Sequence, residues 1–282
     1  MVGGEPIALE VSRVRAVLVL VADSATRLGR ESAGHVVVCG SHGGVTAARY
    51  AAAAGARAAI FNDAGVGRDA AGVSGLADVE RFGMAAAAAS HLSARIGDGM
   101  DHYRCGVISH ANRWAREAGV EVGMAVADAT GCMAAWSPPP GSPRPRWPAR
   151  DVAAVGGDLP EGIAVLDSIS QLRAVHLGKV VASGSHGGVV AGRAVRVPVS
   201  GAIFNDAGVG KDGAGLTRLA LLDSGDVPAA TVGHWSARIG DGLDTYQHGV
   251  VSHANQAARS LGVRAGDPAR EATGRMAARR AR

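Results

Sequence analysis

The chain has 282 residues, of which 47% are hydrophobic and 19% are charged, a composition that is typical of globular proteins and excludes a disordered chain. Its formal net charge is +4, but the basic residues gather at 144–150 and 270–282 rather than in a stripe with aromatic side chains, so we expect no nucleic-acid partner. The three cysteines lack paired spacing, and neither a secretion signal nor a membrane-length apolar run is present, so we expect a cytoplasmic protein that does not bind membranes.

The first half of the chain predicts strands that alternate with helices. Residues 1–13 have no regular pattern and are interpreted as a lead-in, and the apolar run from Val14 to Ala22 predicts a strand that is buried on both faces. Further strands are predicted at 35–39, 57–61 and 85–89, with helices at 45–54, after Gly65 and at 106–117. This alternation indicates a mainly parallel sheet, so we predict an α/β unit of the Rossmann-like or flavodoxin-like type.

The second half of the chain repeats the first. The pair Asn62-Asp63 recurs 143 positions later as Asn205-Asp206, and the Ser-His-Gly-Gly motif at 41–44 recurs 144 positions later at 185–188. A repeat of this length indicates two related domains, so we predict two tandem homologous units that are related by a pseudo-two-fold axis. The predicted boundaries are a lead-in at 1–13, a first repeat at 14–135, a proline-rich linker at 136–162, a second repeat at 163–278 and a basic tail at 279–282.

The residues that are identical in the two copies are mainly polar. Packing alone would keep the apolar positions and let the polar ones vary, so this pattern indicates a binding or catalytic role. Most of the polar blocks follow predicted strands, and the carboxyl ends of parallel strands form the edge where α/β proteins bind ligands. The candidate catalytic residues are Ser41, His42, Asp63, His91, Asp98 and His110 in the first copy and Ser185, His186, Asp206, His234, Asp241 and His253 in the second.

A second set of residues is predicted to bind the substrate. The glycines of the Ser-His-Gly-Gly motif precede a predicted helix, so their N–H groups are expected to face an anion or oxyanion. Arg95 is expected to bind a carboxylate while Asp98 orients it, or alternatively the two form an internal ion pair. Asn62 and Asp63 are alternatively a turn or a helix cap. The candidates are Gly43, Gly44, Asn62, Ser93, Arg95 and Asn112, with Gly187, Gly188, Asn205, Ser236, Arg238 and Asn255 in the second copy.

These residues predict a hydrolase that acts on a small polar carbonyl, amide or carboxylate-bearing metabolite in a cleft between the two repeats. Ser41 or water would be the nucleophile, and His42, His91 or His110 the base; a thiolate at Cys39 is a further alternative. The alternative function is a non-catalytic, two-lobed binding protein for a small anionic metabolite. We expect a small-molecule partner and no cofactor. The histidine spacing does not favour a metal site, but a bound divalent ion is kept as an alternative. Formation of a homo-oligomer is left open.

Overall fold

The computed structural model of the protein describes residues 9–143, 159–190 and 199–279. These residues form two compact units. The first unit contains residues 9–64, 71–143 and 210–212, and the second contains residues 65–70, 159–190, 199–209 and 213–279. Each unit therefore takes most of its residues from one copy of the repeat and a short loop from the other copy.

The first unit is built on a six-stranded sheet. Its strands are β1 (Leu9–Val14), β2 (Val17–Ala22), β3 (Val36–His42), β4 (Ala58–Asn62), β5 (Ala85–Ala89) and β6 (Ile108–Ala111). Its helices are α1 (Val45–Ala53), α2 (Ser74–Asp78), α3 (Gly99–Cys105), α4 (Arg113–Glu117) and α5 (Val126–Ala135). Strands β2 to β5 are parallel, whereas β1 and β6 are antiparallel to their neighbours at the two edges.

The second unit has a five-stranded sheet with a similar arrangement. Its strands are β7 (Ile163–Leu166), β8 (Val180–His186), β9 (Gly201–Asn205), β10 (Ala229–Val232) and β11 (Val251–Ala254). Its helices are α6 (Thr217–Asp223), α7 (Gly242–His248), α8 (Gln256–Ser260) and α9 (Ala269–Ala278). Strands β7 to β10 are parallel and β11 is antiparallel. The predicted α/β class with mainly parallel sheets is confirmed in both units.

Strand order in both sheets follows the order of the chain. A doubly wound Rossmann-like or flavodoxin-like sheet instead reverses its strand order at a switch point, where ligands bind. The predicted topology is therefore wrong in strand order, although it is right in being mainly parallel. The sequence pattern indicates which segments are strands but not which strands become neighbours.

The central strands of the first unit are buried on both faces. Successive residues of a strand point to opposite sides, so Phe61 packs with α1 and α2 while its neighbour Ile60 packs with α5. Strand β5 consists of five alanines that are all fully buried, because helices cover both of its faces. Complete burial of a side chain such as Phe61 stabilises the fold by about 2–3 kcal/mol.

The predictions for the N-terminal strand and for residues 106–117 need correction. A turn at Arg15, whose φ is +54°, divides the predicted strand into β1 and β2, so part of the predicted lead-in is an edge strand. Residues 106–117 are not a helix, because they contain β6 followed by α4. A four-residue strand next to a one-turn helix is too short for either periodicity to be read from the sequence.

Two other predicted segments differ from the structure or lie partly outside it. Gly65 does not begin a helix, because the chain after Asp63 turns through a run of left-handed residues. The proline-rich linker lies mostly outside the described residues, but its first residue, Trp136, packs 6.1 Å from the ring of Trp114. The basic tail beyond Arg279 also lies outside the described residues.

Within the described parts of the chain, no helix combines the length and apolar character needed to cross a bilayer.

Candidate active site

A β-bulge places Ser109 at the carboxyl edge of the first sheet. The register between β5 and β6 shifts at this point, so Ser109 is an extra residue in the ladder. A bulge redirects a side chain out of the regular alternation of the strand. The Ser109 hydroxyl consequently reaches Asp63, which follows the end of β4.

Asp63 is the centre of the site in the first unit. This residue is only 4% exposed, and its Oδ1 accepts both the backbone N–H of His91, at 2.9 Å, and the imidazole Nδ1 of the same residue, at 2.8 Å. A carboxylate only accepts hydrogen bonds, so Nδ1 carries the proton and Nε2 keeps its lone pair. Among the described residues, no group forms a hydrogen bond with Nε2. A carboxylate that orients an imidazole in this way produces a general base.

Ser109 and His110 extend this hydrogen-bonded chain. The Ser109 hydroxyl donates to Oδ2 of Asp63 at 2.8 Å, and its oxygen lies 3.0 Å from Nδ1 of His110. Because the serine proton faces the carboxylate, Nδ1 of His110 is the donor to the serine oxygen. Two histidines are thus connected through one buried carboxylate and one hydroxyl.

The second unit has the same pair of residues at the corresponding place. Nδ1 of His234 lies 3.0 Å from Oδ1 of Asp206, and the backbone N–H of His234 donates to the same oxygen at 3.0 Å. Burial acts to raise the pKa of Asp206, but hydrogen bonds from His234 and Ser252 outweigh this effect and hold the pKa below its usual value. Asp206 is therefore ionised at neutral pH, and it orients His234 as Asp63 orients His91.

The two copies differ at the hydroxyl group. Ser252 occupies the position of Ser109, and both hydroxyls bond to their carboxylate and to a strand carbonyl, that of Ala88 at 3.2 Å or Thr231 at 3.3 Å. The oxygen of Ser252 also lies 3.0 Å from the hydroxyl of Thr231. Residue 88, which corresponds to Thr231, is alanine. The described residues give the exposed His253 no bond to Ser252, so the chain of hydrogen bonds seen in the first unit is incomplete in the second.

A buried carboxylate with two cations lies beside the first site. Asp101 accepts the backbone N–H and Nη1 of Arg95, each at 2.8 Å, and Nζ of Lys211 at 2.8 and 3.0 Å. Burial acts to raise the pKa of Asp101, but the bonds from Lys211 and Arg95 hold it below its usual value. Arg95 also pairs with Asp212. The described ion pairs of Arg95 are thus with Asp101 and Asp212 rather than with Asp98, the partner that the sequence suggested.

The corresponding carboxylate of the second unit has a different set of partners. Asp244 accepts from the backbone and Nη2 of Arg238 at 2.7 and 3.1 Å and from Nδ1 of His248 at 2.9 Å. Arg68 lies 3.8 Å from the same carboxylate. Both copies therefore anchor their arginine on a buried aspartate that the sequence reasoning missed.

The polar groups of the Ser-His-Gly-Gly motif are bonded to backbone and side-chain groups of the first unit. The hydroxyl of Ser41 accepts the N–H of Ala25 at 2.9 Å, and Nδ1 of His42 accepts the N–H of Gly44 at 3.1 Å. The N–H of Gly43 donates to the Asn62 carbonyl at 2.9 Å. Both glycine N–H groups that were predicted to face an anion thus already have partners. The same bonds occur at Ser185, His186, Gly187 and Gly188.

The ionisable groups of this loop are held in their neutral forms. Burial lowers the pKa of His42 to about 4, so the imidazole is uncharged at neutral pH and Nδ1 is occupied by Gly44. Burial raises the pKa of the Cys39 thiol to about 12, which opposes the thiolate alternative. His42 is consequently a weaker candidate for the base than His91.

Other predicted site residues hold backbone groups. Asp98 caps α3 by accepting the N–H of Asp101, and Asn112 caps α4 by accepting the N–H of Ala115. Buried Asn62 donates to the Ala94 carbonyl. Ser93 accepts the Val107 N–H, and the same roles recur at Asp241, Asn255, Asn205 and Ser236. Asn62 also accepts the N–H of Ala64 at 2.8 Å, which fits the turn alternative for this residue. Roles of all these residues toward a substrate stay predictions.

Left-handed loops follow both candidate carboxylates. Residues 64–67 have φ values of +50, +72, +62 and +69°, and residues 207–210 have values of +51, +74, +63 and +70°. The loop N–H of Arg68 donates to the carbonyl of His234 at 2.8 Å, and that of Lys211 donates to the carbonyl of His91 at 2.7 Å. A Cβ on Gly65 would lie 2.9 Å from the ring of His234, so this position requires glycine. Strained backbone of this kind concentrates at functional sites.

Sequence reasoning missed Ser109, Asp101 and Asp244 as site residues. Each of them recurs in both copies, Ser109 as Ser252 and Asp101 as Asp244, so the repeat itself contained the signal.

In the parts of the chain that the structure describes, no group of three or more histidine, cysteine or acidic side chains is arranged to hold a metal ion. Comparison of the chain with protein-family models, curated protein sequences and solved structures gives no match.

Proposed function

We propose that the protein hydrolyses a C–N or ester bond in a small polar carbonyl compound, with His91 as the general base. The observation that carries this proposal is the 2.8 Å contact between Nδ1 of His91 and Oδ1 of Asp63. It fixes the tautomer, and the negative charge of Asp63 stabilises the imidazolium that forms when Nε2 accepts a proton. Ser109 donates to the other carboxylate oxygen, and His110 donates to the oxygen of Ser109, so that together they keep Asp63 in place.

Water is the nucleophile in this proposal. Nε2 of His91 takes a proton from water, and the resulting hydroxide oxygen bonds to the carbonyl carbon. When the carbonyl re-forms, the C–N or C–O bond breaks, and the leaving atom receives the proton from Nε2. Ser41 is not needed as a nucleophile, because its hydroxyl oxygen is held by the N–H of Ala25.

The first unit is the better candidate for the reaction. Only there do the described residues connect both histidines through the carboxylate and the serine, since among them His253 forms no bond to Ser252 in the second unit. We assign the second pair, Asp206 and His234, to substrate binding or to a role that does not require turnover.

The fold proposal is that the two units are tandem homologous copies. It is supported by hydrogen bonds that recur 143 positions apart, such as Asp63 with His91 and Asp206 with His234. The helix caps Asn112 and Asn255 recur at the same spacing. The pseudo-two-fold axis and the cleft between the repeats stay predictions.

A substrate screen tests the function. Small cyclic amides, imides, lactones and carboxylic esters are offered to the wild type, to His91→Gln and to the matched variant His234→Gln. We expect turnover of at least one compound, a loss of at least about 100-fold in His91→Gln, and retained turnover in His234→Gln. Tight stoichiometric binding without turnover would support the alternative, a binding protein for a small anionic metabolite. If the protein binds none of the compounds and turns none of them over, the result would contradict both functions.

A further inference from the structure

A buried arginine of the second unit is not used by the proposed reaction. Arg218 lies in the first turn of α6 and is only 5% exposed. Its Nη2 donates to the carbonyl of Gly188 at 2.7 Å, and its guanidinium carbon lies 5.2 Å from the centre of the Phe204 ring. Its Nε is buried and has no hydrogen-bond partner among the residues that the structure describes.

The first unit has no side chain at the corresponding place. Gly75 and Arg218 are 143 positions apart, and their N–H groups donate to equivalent carbonyls, those of Gly43 at 2.9 Å and Gly187 at 2.8 Å. A Cβ on Gly75 would lie 2.5 Å from the carbonyl oxygen of Gly44, so the first unit excludes any side chain there. At this position the first copy therefore has no side chain, whereas the second copy has a charged one.

The charge of Arg218 has no counterion in the described parts of the chain. No acidic side chain among those residues forms an ion pair with Arg218 or acts on its pKa, which burial alone shifts. Burial lowers the pKa of Arg218 to about 10, so the guanidinium is still protonated at neutral pH. An isolated buried cation destabilises a protein, and the contact with the Phe204 ring offsets only a small part of that cost.

We propose that Arg218 binds a small oxyanion, a carboxylate or a phosphate, beside the Ser-His-Gly-Gly loop of the second unit. An oxyanion supplies the missing charge and an acceptor for Nε, and arginine is the residue best suited to both. The N–H groups of Gly187 and Gly188 already have partners, so the guanidinium is the donor. Among the described residues, this site shares no hydrogen bond with the Asp206–His234 pair, and it does not depend on the hydrolase proposal.

Calorimetric titration of the full chain tests this site. Sodium phosphate and sodium acetate are titrated separately at constant ionic strength maintained with sodium chloride, and thermal unfolding is followed under the same conditions. We expect one saturable site per chain and a higher unfolding temperature for at least one of the two anions. The anion that binds distinguishes a phosphate ligand from a carboxylate ligand.

Matched variants assign the binding to Arg218. Arg218→Met should lose about 10- to 100-fold in affinity, because a charged hydrogen bond is removed. Arg49→Met, which removes an arginine already paired with Asp78, and His91→Gln should bind as the wild type does. If Arg218→Met does not fold, Arg218→Lys, which keeps the charge without the planar fork, should bind more weakly. The absence of saturable binding in the wild type, or equal binding by the Arg218 variant that folds, would overturn the proposal.

Discussion

Nδ1 of His91 lies 2.8 Å from the buried carboxylate of Asp63, and the same contact joins His234 to Asp206 at 3.0 Å. In each case the carboxylate also accepts the backbone N–H of its histidine, so the histidine residue is held through both its backbone and its ring. The two pairs are alike in geometry. Among the described residues, however, only the carboxylate of Asp63 is connected through a serine to a second histidine, His110. This difference allows each role to be tested with its own internal control.

Replacement of Asp63 by asparagine should abolish most of the turnover. The amide of Asp63→Asn no longer stabilises the imidazolium and permits the wrong tautomer, so kcat should fall by about 10³- to 10⁴-fold with little change in KM. Steady-state kinetics on the substrate found in the screen measure this effect. Asp206→Asn is the matched control and should keep the wild-type kcat. An equal loss in the two variants would contradict the assignment of the reaction to the first unit.

The serine of the bulge should influence the reaction through Asp63. Ser109→Ala removes one hydrogen bond to the carboxylate, so kcat should fall by about tenfold, whereas Ser252→Ala should leave it unchanged. Ser41→Ala should lower the free energy of unfolding by about 1 kcal/mol, because the N–H of Ala25 loses its acceptor, and should keep turnover. Complete loss of turnover in folded Ser41→Ala would make Ser41 the nucleophile and refute the water mechanism.

The sequence predicted the elements of the fold better than their arrangement. The apolar runs identified β3, β4 and β5, because a strand that is covered on both faces is apolar at every position. Strand order was not predictable, since it depends on contacts between segments that are distant in the chain. The β6 strand was mistaken for a helix because four residues do not define a period.

The candidate site was predictable to the extent that the repeat marked it. Asp63 and His91 were identified because polar residues recur in both copies, but nothing in the sequence said that these two would meet. Ser109 and Asp101 recur as well, yet their roles depend on a bulge and on a loop from the other copy of the repeat. The prediction that the Ser-His-Gly-Gly motif faces an anion is not supported, because the N–H groups of Gly43 and Gly44 donate to Asn62 and His42.

His42 should make the stability of the protein depend on pH. Its pKa is about 4 in the folded protein and 6.5 for an unperturbed histidine, so below pH 6.5 protons bind the unfolded chain preferentially. The stability contributed by neutral His42 is therefore complete above pH 6.5 and is lost as the pH falls toward 4. Since the ring keeps some exposed surface, we expect a loss on the order of 2 kcal/mol over this interval.

Urea unfolding between pH 4 and 7 measures the contribution of His42. His42→Asn keeps an acceptor for the Gly44 N–H without a titrating group, so its free energy of unfolding should fall less steeply than that of the wild type. His253→Asn changes an exposed histidine and should leave the slope unaltered. Identical slopes for the wild type and His42→Asn would show that His42 does not cause the dependence.

The ion pair between Asp101 and Lys211 should contribute far more to stability than an exposed pair. The side chains of Asp101 and Lys211 are 8% and 22% exposed, and the ammonium contacts both carboxylate oxygens. Lys211→Met leaves the buried carboxylate with Arg95 as its remaining cation, so the free energy of unfolding should fall by about 1–3 kcal/mol. In a double-mutant cycle with Asp101→Asn, the coupling energy should exceed about 1 kcal/mol.

The exposed pair of Glu10 and Arg13 is the control for this cycle. Its side chains are 46% and 59% exposed, and its coupling energy should be below about 0.5 kcal/mol because water screens the charges. Equal coupling in the two cycles would mean that Lys211 does not stabilise the buried carboxylate.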